Sequence, residues 1–431
     1  MPDYRKKKRS RFSLHPKGRG AHSPKAIHSN DIDMTPDSNK KTAKGEKNIN
    51  MRVVQGKKLE KKKKIKLFAA VVAIILVIVC IFQLILPAGI IQTLKNSITL
   101  IGSGSYPLEL DSSDTLDVKP MGHYYYILSD TQLSAYSNSG KKLFDFAHGF
   151  ENPILKTSKW GAILFNQGRT DVHLFTLKGI ENTIETENNI ITATISNKGS
   201  YAIVTESKKY ASSVSVYNKY GKNLYEWYSA ENIVNNVVIA PNSKKIAVST
   251  FNTSGGEFSS RVSVFNFKSA NADFSLDFSN TLVYDLSSDT SSRFCVATSN
   301  GLQFIKWSNY KKTDYSNDYN LLMLRTASHG TVAVWGRESD PNDNKVSVFS
   351  KAGKLDFEFQ FKGIITDIRL FGGNIYCMSD TEIYLIDKKG TVLRKTSSGF
   401  GGVKTIVTGS NSVLSVTDNR VEKIKLEQEL K

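Results

Sequence analysis

The sequence predicts an all-β protein, a β-propeller of eight blades with seven as the alternative count, preceded by one transmembrane helix and a disordered basic tail. Three observations carry this prediction. After about Ser105, short alternating runs of Val, Ile, Tyr, Phe and Thr are broken roughly every eight to twelve residues by Gly, Asn, Asp or Ser. A pair of such runs recurs about every forty residues. One apolar run of twenty residues stands ahead of the repeats.

The tail comes first. With 431 residues, 40% of them hydrophobic, the chain can bury a sizeable core, but its formal charge of +18 is unevenly spread. Residues 1–66 hold 21 basic and 6 acidic side chains, and the remainder holds 37 and 34. The segment Arg5 to Arg11 reads RKKKRSR, and no 3.6- or 2.0-residue period is sustained through residues 1–64, so this tail cannot bury enough apolar area to offset chain entropy. Its charge suits anionic lipid headgroups or, as the weaker alternative, nucleic-acid phosphates. There is no aromatic platform or zinc-knuckle spacing for sequence-specific reading.

Leu67 to Leu86 reads LFAAVVAIILVIVCIFQLIL, uncharged and with Gln83 as its one strongly polar side chain. As a helix it spans about 30 Å of hydrocarbon. A signal peptide would lie nearer the N-terminus, and a buried core helix of this length would carry a polar stripe. Lys57, Lys58, Lys61, Lys62, Lys63, Lys64 and Lys66 precede the run, and Lys95 is the first cation after it. Positive residues stay on the cytoplasmic side, which predicts a single-pass protein of the cell membrane with a cytoplasmic N-terminus and an extracytoplasmic C-terminal domain. The expected division is tail 1–64, transmembrane helix and flank 65–91, linker 92–105 and propeller 106–427.

In the repeats, the third strands LSAYS, VHLFT, VSVYN, VSVFN, LQFIK, VSVFS, IYLID and VEKIK align on Tyr136, Phe175, Tyr217, Phe265, Ile305, Phe349, Ile386 and Ile424. Four short strands in about forty residues make one propeller blade, a small sheet that must stack on neighbours and whose ring removes open edges. A β-sandwich would alternate too, but would not produce eight equivalent strand pairs. The least regular unit is 153–188. The eighth ends near Glu427 after three strands, while Tyr106 to Leu110 (YPLEL) stands unattached before the first. This leftover strand is predicted to complete the last blade and close the circle.

The search for chemistry is mostly negative. Cys80, Cys295 and Cys377 form no disulfide framework, and the last two fall in second strands as packing residues. His123, His148, His173 and His329 are scattered without HxH or HExxH spacing, and no cofactor or metal is expected. Asp340-Pro341-Asn342-Asp343-Asn344 hints at a calcium loop, but Lys345 and Lys351 stand where glycine and a bidentate acid belong, so a polar hairpin is expected instead. Ser139 and Lys142 have SxxK spacing but fall in a turn. Gly399-Phe400-Gly401-Gly402 reads as a connection between blades, and Trp160, Trp227, Trp307 and Trp335 read as core. These absences predict a protein that is not an enzyme.

One constellation remains. First strands place Lys119 (LDVKPM), Lys156 (PILKTS), Arg325 (LMLRTA) and Arg369 (TDIRLF) at a similar point before the turn. Innermost strands line a propeller channel, so these four are candidates for a cationic mouth that binds an anionic wall polymer or a partner's carboxylate. The competing reading pairs them with Asp285 and Asp367.

Ala240-Pro241-Asn242-Ser243-Lys244-Lys245-Ile246-Ala247 resembles the turn between the first and second strands of WD40-like repeats in TolB-type propellers, usually Ser-Pro-Asp-Gly-Lys before an apolar strand. Ser196-Asn197-Lys198-Gly199-Ser200 is a weaker copy, and Asn and Gly suit such turns because they tolerate positive φ. The Trp-Asp and Gly-His pairs of true WD40 repeats are absent. The whole layout resembles uncharacterised membrane-anchored propellers of Gram-positive bacteria, which implies a place in the cell envelope and no activity. The resulting expectation is a non-catalytic scaffold or receptor for envelope proteins or wall polymers. The alternatives are a transmembrane signalling protein coupling propeller to tail, and a glycan- or peptide-processing enzyme.

Overall fold

Strand pairing follows the forty-residue repeat. The computed structural model describes residues 64–74, 99–110, 114–253, 256–288, 292–327, 329–398, 404–409 and 411–426. Among them, strands assemble into eight four-stranded antiparallel sheets. Seven are contiguous in sequence: blades 1 to 7 occupy residues 115–147, 153–185, 190–229, 233–279, 283–316, 320–362 and 367–397. The irregular unit is a complete blade of strands Pro153–Thr157, Ala162–Asn166, Asp171–Thr176 and Gly179–Glu185.

Burial explains why the middle strands spoke most clearly in the sequence. Second strands such as Tyr124–Ser129 are buried at every position, since neighbouring blades cover both faces, and they read as continuous apolar runs. A fourth strand such as Ala272–Ser279 is at the rim, and its side chains alternate between exposed and half-buried. The eight aligned third-strand residues take one register, as in Tyr125↔Tyr136, Ala162↔Phe175, Ile375↔Ile386 and Val413↔Ile424.

Eight apolar clusters hold the ring, each filling the seam between two consecutive blades. Ala202, Val214 and Val216 of blade 3 meet Val237 and Ile246 of blade 4, and Ala297 and Phe304 of blade 5 meet Trp335 and Phe349 of blade 6. The seam between the two chain ends is filled alike, by Val118, Tyr125 and Ile127 of blade 1 against Ile406, Leu414 and Val421 of blade 8. All eight clusters draw on residues 100–426, so the ring is a folding unit of its own.

Blade 8 consists of Lys404–Gly409, Ser412–Val416 and Arg420–Lys425, completed by Leu108–Glu109. Leu108 pairs with Val421 and Glu109 with Arg420, and the Leu110 amide donates to the Asn419 carbonyl at 2.8 Å. The leftover N-terminal strand therefore closes the circle, and the count is eight rather than seven.

Two local expectations change. Asp340–Asn344 is not a hairpin: it opens the long strand Asp340–Ser350, and the turn lies at Glu338 and Ser339. Asn344 Nδ2 donates to the Pro341 and Gly363 carbonyls, and Asp343 accepts from Lys362 Nζ at 2.9 Å, which draws the segment into the sheet. In the Pro241-Asn242-Ser243 turn the positive φ of 56° falls on Ser243, the counterpart of Gly199 at 83°, and not on Asn242.

The chain separates into two compact units, residues 1–80 and 81–431. In the first, residues 64–74 are helical and enter the predicted transmembrane run; the tail 1–63, the rest of that run and the linker to residue 98 lie outside the described residues. So does the connection at 399–403. Among the described residues no helix is long and apolar enough to cross a membrane.

Candidate functional site

The inner strands of blades 1, 2, 6 and 7 are Thr115–Pro120, Pro153–Thr157, Asn320–Ala327 and Asp367–Phe371, and each carries one of the candidate cations. Register makes them equivalent: Lys119, Lys156, Arg325 and Arg369 lie opposite Tyr126, Ile163, Val332 and Tyr376 of the second strands. Blades 1 and 6 are not neighbours, yet Lys119 and Arg325 repel one another, and Arg369 feels Asp117. The inner strands thus bring charges of blades 1, 2, 6 and 7 within electrostatic reach of one another.

Most of them are already paired. Lys119 Nζ sits 2.6 Å from Asp117 Oδ2. Asp367 is fully buried and takes both guanidinium groups, Arg369 at 3.0 Å and Arg325 at 3.3 Å. Lys156 stands in no ion pair with a described residue. Burial pushes the Lys119 ammonium below the ordinary lysine range; Asp117 pulls it back up, and Lys156 and Arg325 push it down. Arg369 is likewise lowered by burial, against the pull of Asp367.

The expected partner Asp285 makes no ion pair among the described residues. Asp117 takes that role for a simple reason: residues two apart on a strand share a face, and Asp117-Val118-Lys119 and Asp367-Ile368-Arg369 both use this spacing. The spacing was visible in the sequence, although only Asp367 was singled out. The inner-strand cluster thus combines four cations with two tightly held carboxylates. Lys119 and Arg325 keep about a third of their side-chain surface, 35% and 30%, open to an anionic group.

The other sequence candidates are placed as follows. Cys295 and Cys377 are buried in second strands, and burial raises both thiols well above the usual range, which keeps them protonated. Ser139 bonds Ser137 Oγ at 2.8 Å while Lys142 pairs with Asp145 at 3.7 Å, so the SxxK residues serve separate contacts. Trp160, Trp307 and Trp335 are buried, and Trp227 packs half-buried against its seam. His148 and His173 converge on Phe150 at the outer seam of blades 1 and 2, with the His173 and Phe150 rings stacked at 5.3 Å and 4°. Both are packing residues, and burial pushes both imidazoles below 6.5.

Residues 104–426, nearly the whole ring, match a family described as a family of unknown function, DUF5711. This chain belongs to the DUF5711 family. No curated protein matches its sequence. Among solved structures it is similar to a eukaryotic initiation factor at 12% identity and a TM-score of 0.52, covering 75% of this chain and 90% of that one. The C-terminal WD40 domain of Sif2 aligns at 11% identity and 0.51, over 76% and 100%. BamB from Moraxella catarrhalis aligns at 12% identity and 0.48, over 75% and 99%. The first two likenesses establish a WD40-like propeller fold for this DUF5711 member, and they bear on fold alone.

Proposed function

We propose that this DUF5711 protein is a non-catalytic interaction scaffold or receptor, held at the outer side of the cell membrane by the apolar run 67–86, with envelope proteins or an anionic polymer as its partners. The placement of Lys119, Lys156, Arg325 and Arg369 on the inner strands of four blades is the observation that supports this reading, as a cationic mouth. As such a mouth, these inner-strand side chains offer charge from four blades to one anionic partner. The lysine cluster ahead of the apolar run supports the orientation.

Replacing Lys119 and Lys156 with Gln leaves the Asp367 cluster intact and is expected to weaken capture of polyphosphate-type wall polymer by the ring at least about tenfold, the loss of roughly 1.4 kcal/mol. Unchanged capture would overturn the mouth as the binding site. Protease added to intact protoplasts is expected to remove the ring and spare the tail; the opposite pattern would overturn the orientation.

A further inference from the structure

Up-and-down strands sort the turns of a propeller to its two ends. Turns between first and second and between third and fourth strands lie at one end; turns between second and third strands and the connections between blades lie at the other. Bonds between turns respect this division. The Lys159 amide donates to Asn197 and Ser196 bonds Ser243 at the first end, while Arg169 bonds Glu151 and Asn189 bonds Glu206 at the second.

Charge is sorted in the same way. At the first end, the turn between third and fourth strands presents an exposed lysine in each of blades 2 to 7: Lys178, Lys222, Lys268, Lys311, Lys354 and Lys389. None of the six stands in an ion pair with a described residue. Lys159, Lys198 and Lys244 add exposed charge from the turns nearer the channel. The acid in these described turns, Asp387, is occupied by the Lys389 and Thr391 amides, both at 2.8 Å. Just inside the strands, Asp273 and Asp314 are paired with Lys245 and Lys312. The other end is acidic, with exposed Asp130, Glu187, Glu231, Asp318, Glu338 and Asp380 against Arg169, Lys208 and Lys209. Residues 67–431 carry 37 basic and 34 acidic side chains, so this portion is close to neutral; its charge is segregated rather than excessive.

The chain arrives at the lysine end. Lys141, in the corresponding turn of blade 1, donates through Nζ to the Thr99 and Ile101 carbonyls at 3.0 and 2.6 Å. Ser139 Oγ donates to the Gly102 carbonyl, and the Gly104 amide to that of Ser139. Gly104 lies so close to this turn that a Cβ there would be 2.1 Å from the Gly140 oxygen. Only residues 87–98 separate this clasp from the apolar run, a tether of at most about 40 Å.

We propose that the lysine end of the ring, the end at which the mouth of Lys119 and Lys156 also opens, docks on the anionic lipid headgroups of the membrane that holds the anchor, leaving the acidic end facing outward, so that lipid and an anionic polymer compete for this end. The proposal rests on the anchor reading above. Each lysine near such a surface adds a small attraction that salt screens, so a face of them acts together where one would not. The opposite end is repelled by the same surface, which makes the docking one-sided.

The test uses the purified ring, residues 99–431, and vesicles of phosphatidylglycerol mixed with phosphatidylcholine, or of phosphatidylcholine alone. Co-flotation with the anionic vesicles at low salt is expected, with release as salt rises and none on neutral vesicles. Changing the six lysines to Glu is expected to lower binding more than about tenfold. A dye on Ala270→Cys, at the lysine end, is expected to be quenched by a lipid-borne quencher, and one on Ser339→Cys, at the acidic end, is not. Equal recovery on both vesicle types, unchanged binding of the six-lysine variant, equal quenching at both positions, or capture of polyphosphate without capture of anionic vesicles would each overturn the proposal. Carbonate extraction of membranes carrying the full chain tests the anchor separately: a chain released by carbonate sinks the anchor whatever the ring does on vesicles.

Discussion

Blades 4 and 8 come from the same repeat but are held together differently. Blade 4 is contiguous, with strands Ile233–Ile239, Lys245–Asn252, Ser259–Asn266 and Ala272–Ser279 joined by short turns. Blade 8 has shorter strands and borrows a two-residue fourth strand from the far end of the ring. Contacts across this junction, such as the Thr115 amide to Asp418, link residues 303 apart in sequence. Loop-closure entropy grows with loop length, so the composite blade gives the least local reward for the chain it must order. It is nevertheless the element on which the whole circle depends, because opening it exposes two seams and two sheet edges.

The largest expected effect tests that asymmetry. Changing Leu108 and Leu110 to Asp removes two apolar side chains from the seam of blades 8 and 1 and unpairs the last strand. Urea unfolding is expected to show a loss of about 4 kcal/mol, on the order of 1.5–3 kcal/mol for each apolar side chain. Hydrogen exchange should accelerate around the whole ring. The matching pair on blade 4, Phe274 and Leu276 to Asp, is expected to loosen blades 4 and 5 alone. Equal spread from both would show that closure has no special role.

A smaller effect separates seam packing from turn geometry. Gly199 has φ of 83°, and a Cβ there would lie 2.8 Å from the Trp160 ring of the neighbouring blade. Gly168 has φ of 79° with nothing within 4 Å. Gly199→Ala is expected to lower stability by about 3 kcal/mol and Gly168→Ala by about 1 kcal/mol, from overpacking plus strain in one case and strain alone in the other. Thermal unfolding of the two variants reads the difference.

The smallest effect concerns pH at a contiguous seam. His148 and His173 have folded pKa values pushed below 6.5 by burial, so the unfolded chain binds protons that the folded one does not. Their contribution is present above about pH 6.5 and lost as pH falls below it. The melting temperature is expected to drop between pH 7.5 and 5.5, and His148→Gln with His173→Gln to flatten that part of the profile; an unchanged profile would show that neither imidazole is linked to folding.

The repeat was readable because second strands are covered on both faces and third strands bury alternate side chains in the seams, which forces apolar residues into fixed positions such as Phe175, Phe265 and Ile386. The closing strand was readable as a surplus. The cations of the mouth were readable from their place before a turn, yet their pairing was only half seen: Asp367 was, Asp117 was not, and Asp285 was wrongly included. The hairpin expected at Asp340–Asn344 failed because its polar residues find partners in the adjoining strand, Lys362 and Gly363, which local composition does not reveal.

Local periodicity and spacing, by themselves, determined the strands, the forty-residue unit and the fact that one strand was left over, and narrowed the number of blades to eight or seven, because each follows from which side chains must be buried within a few residues of one another. Only the tertiary structure decided that lysines from six separate turns share one end, that acids share the other, and that Asp367 holds arginines from two blades. Those groupings depend on closing the ring, which brings together side chains hundreds of residues apart that no local pattern connects.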